Sequence, residues 1–321
     1  MNSCMPFDRG LVETIPVNRS AVERRAASLG GRRTFKVESQ VAALVRALQC
    51  MDLTTLAGDD TPGRVERLCA KARNPVRREI LHALGITDPI TVGAVCVYYA
   101  QVATAVAALR GSGIPVAAVS TDFPDGQNSP HGMKLEQIAA AIDAGATEID
   151  IVISRAHVLT GNWRALYDEI VDFRAACEDR AKLKTILGTG NLAPLALVAK
   201  ASAVAIMAGA DTIKTSTGKE PVNATLPVGL TMVRPMRRFR DEMPEEQRRV
   251  VGFKPAGGIR TAKDVMLWMS LMLEELGEAW TKPDRLRIGA SGLLTDIERQ
   301  LDVLASGDPS AYAATNHQPM A

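Results

Sequence analysis

Eight short runs rich in β-branched and aliphatic residues recur along the chain, each followed by a longer stretch of helical period, and no other feature limits the fold as strongly. The runs span 52–56, 94–98, 116–120, 148–154, 183–189, 212–217, 250–255 and 286–290, with helical stretches such as 134–144, 163–176 and 262–276 between them. Parallel neighbours need a crossover of a dozen or more residues, usually a helix. Eight such units without a break in composition predict one α/β domain, a closed (β/α)8 barrel of the TIM type. A doubly wound open sheet is the rival that the same alternation permits. A chain of 321 residues suits a single barrel, and with aromatics at only 4% its core has to be filled by Ala, Val, Leu and Ile. Branched residues of that kind stack in layers inside barrels.

The barrel is expected over 41–306. Residues 1–40 form a short N-terminal extension that opens irregularly, with Pro and Gly, and then forms a helix over 18–29 closed by Gly30 and Gly31. Residues 307–321 read as a polar C-terminal tail. Nothing asks for nucleic acid or a membrane as partner. The formal net charge is +2, and the densest basic run, 234–240, is followed by Asp241, Glu242, Glu245 and Glu246, the pattern of a solvated helix face. No apolar stretch of ~18 residues occurs. The N-terminus lacks an apolar signal-peptide core, and Asp8, Glu13 and Glu23 speak against a transit peptide. The five cysteines, Cys4, Cys50, Cys69, Cys96 and Cys177, are odd in number and contain no CxxC pair. They argue against a disulfide framework or a zinc site and fit a reducing, cytoplasmic compartment. The four histidines are scattered, so no metal site and no cofactor is expected. A homo-oligomer, most simply a dimer, is compatible with these features.

A parallel strand covered on both faces should be almost wholly apolar. Several of the runs carry a charge in mid-run instead: Asp52 in MDLTTL, Asp150 in EIDIVI, Lys184 in LKTIL, Lys214 in TIKTST and Lys254 in GFKPAGG. On five strands of a barrel these side chains converge on its axis. They form either a structural ion-pair network or a catalytic cluster near the strands' C-terminal ends. Three lysines face two aspartates. Desolvation and a surplus neighbouring cation both disfavour a protonated lysine, and a neutral amine can attack a carbonyl.

Glycines and hydroxyls follow the late runs: Thr215 to Lys219 (TSTGK), Pro255 to Gly258 (PAGG), and Gly289 to Gly292 (GASG). Barrels often bind phosphate with the loops after strands seven and eight and a helix N-terminus. Gly257, Gly258, Gly289, Ser291 and Gly292, with Lys219 nearby, therefore read as an anion site, against the plainer reading of tight turns. Gly188-x-Gly190-x-x-Ala193 imitates a dinucleotide fingerprint but follows the fifth run rather than the first. Cys96, in an apolar run, reads as a buried, inert thiol.

The runs MDLTTL, AVCVYYA, GATEIDIVI, LKTILGTG, GADTIKTSTGK, VGFKPAGGIRTAKD and IGASGLL, in this order over roughly 45–305, resemble the deoxyribose-phosphate aldolase family. The extension and the phrases LTGNW and ALYDEI resemble its animal-type branch. The resemblance implies a (β/α)8 barrel that cleaves 2-deoxy-D-ribose 5-phosphate to acetaldehyde and D-glyceraldehyde 3-phosphate, in deoxynucleoside catabolism, without metal or organic cofactor. It implies Lys214 as the Schiff-base lysine, Lys254 as the second active-site lysine and Asp150 as the proton-transferring aspartate. Phosphate contacts fall on Gly257, Gly258, Ser291 and their loop, with Lys219 facing the substrate. Asp52, Thr54, Lys184 and Thr217 are expected to stand behind these groups and hold them. Two departures stand out. Gly292 replaces a hydroxyl residue common in the family, which removes one phosphate hydrogen bond. The C-terminal tyrosine of some bacterial members has no counterpart, the nearest tyrosine being Tyr312. The rival readings are another Schiff-base sugar-phosphate aldolase or transaldolase, and a non-catalytic barrel that binds a phosphate ligand, which the lysine constellation disfavours.

Overall fold

The computed structural model describes residues 1–31 and 37–313. Its frame is eight parallel strands: β1 (Met51–Thr54), β2 (Ala94–Tyr98), β3 (Val116–Ser120), β4 (Glu148–Val152), β5 (Lys182–Ile186), β6 (Thr212–Lys214), β7 (Gly252–Lys254) and β8 (Ile288–Gly289). Each pairs with its sequence neighbour, and β1 also pairs with β8, giving the order β7-β6-β5-β4-β3-β2-β1-β8. Bridges from Phe253 to Leu286 and from Ala256 to Gly289 join the two ends of that row and close the ring. The closure is tight. A Cβ on Gly289 would stand 2.8 Å from that of Ala256, so only glycine lets β8 approach β7 at this level. The sequence-predicted barrel is thus the fold, and the open sheet is not.

Strand alternation sorts the side chains. Leu53, Val95, Val97, Ile149, Ile151, Leu183, Ile213, Phe253 and Ile288 point out to the surrounding helices and belong to the main core. Inside the ring, Leu56, Cys96, Ala117 and Val119 form a small separate apolar cluster, beside the inward-facing charges of the strands. Side-chain caps start several helices. Thr225 accepts from Val228 N ahead of the helix Leu226–Asp241, and Thr261 with Asp264 forms a capping box ahead of Ala262–Leu276. Among the described residues no helix is long and apolar enough to cross a membrane.

The extension is built into the barrel. Its expected helix is present as Arg19–Gly30, begun by Asn18 accepting from Ala21 N. The stretch expected to be irregular also holds a short helix, Arg9–Glu13, begun by Asp8; five residues are too few for a periodic signal. Met5, Leu11, Val12, Val22, Ala26 and Leu29 are buried. Met5 N donates to Met207 O, and Asn2 donates to Ala210 O, Val250 O and the Asp211 carboxylate, all just ahead of β6 and β7. Arg25 reaches Glu274 and Glu275 on the helix Ala262–Leu276. The helix leading into β1, Val37–Gln49, begins before residue 41, the expected start of the barrel. At the other end, Pro309–Ala313 forms a helical turn, while residues 314–321 of the expected tail lie outside the described residues.

Candidate active site

The five charged positions meet in the barrel. Asp150, from the middle of β4, accepts from all three lysines: Lys184 at 2.6 Å through one oxygen, Lys214 and Lys254 at 2.9 Å each through the other. Lys254 also donates to Asp52 at 2.5 Å. Two further charges join from below. Glu148, two residues before Asp150 on the same inward face, lies 2.7 Å from Lys184 Nζ. Arg287, just ahead of β8, donates to Glu148 and to Asp52 at 2.8 Å each. None of the seven is more than 8% exposed.

Such burial is tolerable only because the charges answer one another. For Asp150, desolvation favours the neutral acid, but Lys184, Lys214 and Lys254 outweigh it and hold the carboxyl well below its ordinary range. Asp52 is likewise depressed against its burial by Lys254 and Arg287. The lysines divide. Burial would lower Lys254, yet Asp150 and Asp52 prevail and raise it; Lys184 is raised in the same way by Asp150 and Glu148. Lys214 goes down, first through burial and then through the Lys254 charge, with Asp150 opposing. Of the three, Lys214 is the lysine whose surroundings favour a neutral amine. It is the last residue of β6, at the C-terminal mouth where barrels carry their chemistry. Cys96, beside the cluster, is pushed up by burial and stays a thiol.

Around the mouth, the loops after β5, β6, β7 and β8 are tied together. Glu220 accepts from Thr217 N at 2.8 Å and Thr217 Oγ1 at 2.9 Å, and from Gly190 N at 3.0 Å. A Cβ on Gly190 would meet Val222 O at 2.0 Å, so this glycine of the dinucleotide-like run serves close packing of two loops. Ala256 N donates to Thr215 Oγ1 at 3.0 Å. Gly257 and Gly258 both have positive φ, 80° and 85°. The helix Leu293–Ser306 starts at Gly292 without a side-chain cap, with Leu294 N donating to Ser291 O and Asp296 in its first turn. Ser291 Oγ donates to Thr54 O and accepts from Thr54 N, both at 2.8 Å. Gly289 N is taken by Pro255 O, so Gly289 serves barrel closure and has no amide to offer. Lys219 is exposed beside the mouth.

Comparison with known proteins decides the family. A family model described as DeoC/LacD family aldolase matches residues 46–294, from just before β1 to the start of the helix after β8. The chain belongs to the DeoC/LacD aldolase family. Among curated proteins, the deoxyribose-phosphate aldolase of Bos taurus is 53% identical, covering 98% of this chain and 97% of its own. That of Homo sapiens is 52% identical over the same shares. Among solved structures, deoxyribose phosphate aldolase from Aeropyrum pernix superposes with a TM-score of 0.60 at 20% identity, over 85% of this chain and 100% of its own, a likeness of fold.

The matched span of this DeoC/LacD aldolase contains every member of the buried cluster. Glu148 and Arg287 in the cluster, and Glu220 at the mouth, are the residues that the sequence reading passed over. Period-two alternation would have placed Glu148 beside Asp150. Arg287 stands at the start of a run that the structure shortens to two residues, and Glu220 lies in a loop that offers no periodic signal. Among the described residues of the aldolase, no group of three or more His, Cys, Asp or Glu is placed to hold a metal ion. The Tyr312 hydroxyl is bound to Asp296, on the helix after β8.

Proposed function

We propose that this aldolase cleaves 2-deoxy-D-ribose 5-phosphate reversibly to acetaldehyde and D-glyceraldehyde 3-phosphate, with Lys214 as the covalent lysine. The observation that carries the reading is the division among three buried lysines around one carboxylate. Two are held as cations, and the third, at the mouth, is driven toward the free amine. Identity of 53% across 98% of the chain to a deoxyribose-phosphate aldolase supports the substrate.

Neutral Lys214 adds to the C1 carbonyl of the open-chain sugar, and loss of water from the carbinolamine leaves a protonated imine. Deprotonation of the C3 hydroxyl sends the electron pair of the C2–C3 bond into that imine. The bond breaks, glyceraldehyde 3-phosphate departs, and an enamine remains on Lys214. Protonation at C2 and hydrolysis then release acetaldehyde and restore the amine. Asp150, an anion in the resting site, takes the proton of the C3 hydroxyl, and Lys254, a cation there, gives one to the enamine carbon; the proton on Asp150 then passes to Lys254 across their 2.9 Å contact and restores both. Asp52 fixes Lys254 and Lys184 fixes Asp150. The phosphate end is read at the loops carrying Gly257, Gly258, Ser291 and Gly292, with Lys219 at the rim and Thr217 held by Glu220. Remote binding energy there orients the reacting carbons. The reaction is placed in the cytoplasm.

Borohydride reduction in the presence of deoxyribose 5-phosphate, followed by peptide mapping, tests this directly. The expected result is one reduced adduct, on Lys214. An adduct on Lys184 or Lys254 would overturn the assignment. Cleavage of fructose 1,6-bisphosphate with no turnover of deoxyribose 5-phosphate would overturn the substrate.

A further inference from the structure

Two charges of the buried cluster have no part in the reaction, Glu148 and Arg287. Both lie toward the N-terminal ends of the strands, where substrate entering at the mouth does not reach. Arg287 Nη1 and Nη2 donate to the two oxygens of Glu148 at 3.2 and 2.8 Å, and Nη1 donates to Asp52 Oδ1 at 2.8 Å. Through these contacts Arg287 is continuous with the cluster that holds Lys214.

Among the described residues, the network then contains four cations, Lys184, Lys214, Lys254 and Arg287, and three carboxylates, Asp52, Glu148 and Asp150. A buried charge without its counter-charge is strongly disfavoured, so one cation should give up its proton. Arg287 cannot, because a guanidinium stays protonated. Lys184 lies within 4 Å of all three carboxylates, and Lys254 meets two. Lys214 meets Asp150 alone. Lys214 is therefore the member that loses its proton at least cost. We propose that Arg287 is a positioning residue for the reaction. As the fixed cation that puts the buried network one charge in excess, it makes Lys214 the neutral member, with Glu148 as its counterweight. The inference rests on Lys214 being the nucleophile.

The groups facing Lys214 define what else could move it. They are Asp150 from β4, Lys254 from β7, Cys96 from β2 as an uncharged thiol, and behind them Lys184 from β5 and Asp52 from β1. Neither Glu148 nor Arg287 pairs with Lys214 itself, so substitution at either position reaches Lys214 through the charge of the network. Without Arg287, three lysines face three carboxylates and all can stay protonated. Without Glu148, four cations face two carboxylates and Lys214 is driven further toward neutrality. Without both, the excess of one returns.

The test is the pH dependence of adduct formation with acetaldehyde and cyanoborohydride, a probe that carries no phosphate. It is run on the full chain, with the label mapped. In Arg287→Met the acidic limb should move up by about one pH unit. In Glu148→Gln it should move down by a similar amount. In the double variant, where the pair is removed together and the fold is least disturbed, it should return close to the wild-type position. Lower rates at every pH with the limbs unmoved, on a label still at Lys214, would mean that the pair is merely structural and would overturn the proposal. A wild-type label on another lysine overturns the reading of Lys214 itself, and the proposal with it. Should Arg287→Met fail to fold, the downward movement in Glu148→Gln and its cancellation in the double variant still decide.

Discussion

Lys214 and Lys254 are the same residue type, on adjacent paired strands, bound to the same oxygen of Asp150, yet their pKa values are shifted in opposite directions, down for Lys214 and up for Lys254. The difference is Asp52, which touches Lys254 at 2.5 Å and is not in contact with Lys214. Replacing Lys254 by Met removes the cation beside Lys214 while keeping the bulk. The pKa of Lys214 should rise, so its free amine appears only at higher pH. The acidic limb of kcat/KM is expected to move up by about one to two pH units; an unmoved limb would mean that burial alone tunes Lys214. At the phosphate end, Gly292 has an ordinary φ of −60° and nothing within 4 Å of where a Cβ would stand, so serine fits there without strain. A hydroxyl on an anion is worth roughly 1.5–3 kcal/mol. Gly292→Ser should therefore lower KM for deoxyribose 5-phosphate about tenfold or more and leave the rate with unphosphorylated deoxyribose nearly unchanged. Equal effects on both substrates would place the phosphate elsewhere on the rim.

At the scale of elements, what was legible in the sequence follows from what repeats. All eight strands lie within or one residue beyond the runs read from β-rich composition, because a strand buried on both faces announces itself as a short apolar block. The helix Ala262–Leu276 matches its periodic stretch, since its capping box and apolar period agree. The charges in mid-strand were legible for the same reason, as breaches of an apolar rule. Glu148 and Arg287 were not, because they stand at the edge of their runs, where polarity is ordinary. The short helix Arg9–Glu13 and the docking of the extension were also beyond reach, because tertiary contacts fix them and five residues carry no period. That docking has a measurable consequence. Leu29, fully buried, anchors the helix Arg19–Gly30 against the barrel. Leu29→Ala should cost about 2–5 kcal/mol, seen as a lower urea midpoint, while imine trapping in the folded protein stays at the wild-type level. An unchanged midpoint would show that the extension contributes little to the stability of the barrel.

For the molecule as a whole, the ion network puts chemistry and folding on one set of titrating groups. Asp52, Glu148 and Asp150 all have folded pKa values below their ordinary ones, because the cations around them outweigh burial. A depressed carboxylate stabilises the fold fully above its unfolded pKa, about 4, and that contribution is lost as pH falls toward the folded value. Lys184 and Lys254 are raised, so their contribution is complete below about 10.4 and disappears only as pH rises beyond it. Between these limits the network neither gains nor loses protons on unfolding, apart from Lys214, which is lowered. Stability should therefore fall on acidification from about pH 5 to pH 3, beyond what exposed carboxylates contribute. Asp52→Asn provides the test, since it removes one depressed carboxylate and leaves Lys254 with Asp150 alone. Its urea midpoint should be lower than wild type at pH 7, because a buried cation has lost a partner. Its decline between pH 5 and pH 3 should be shallower, because one fewer group takes up a proton on unfolding. If the midpoints of variant and wild type fall in parallel through that range, Asp52 is not a linked group, and the acid sensitivity of the barrel has to be sought outside the buried network.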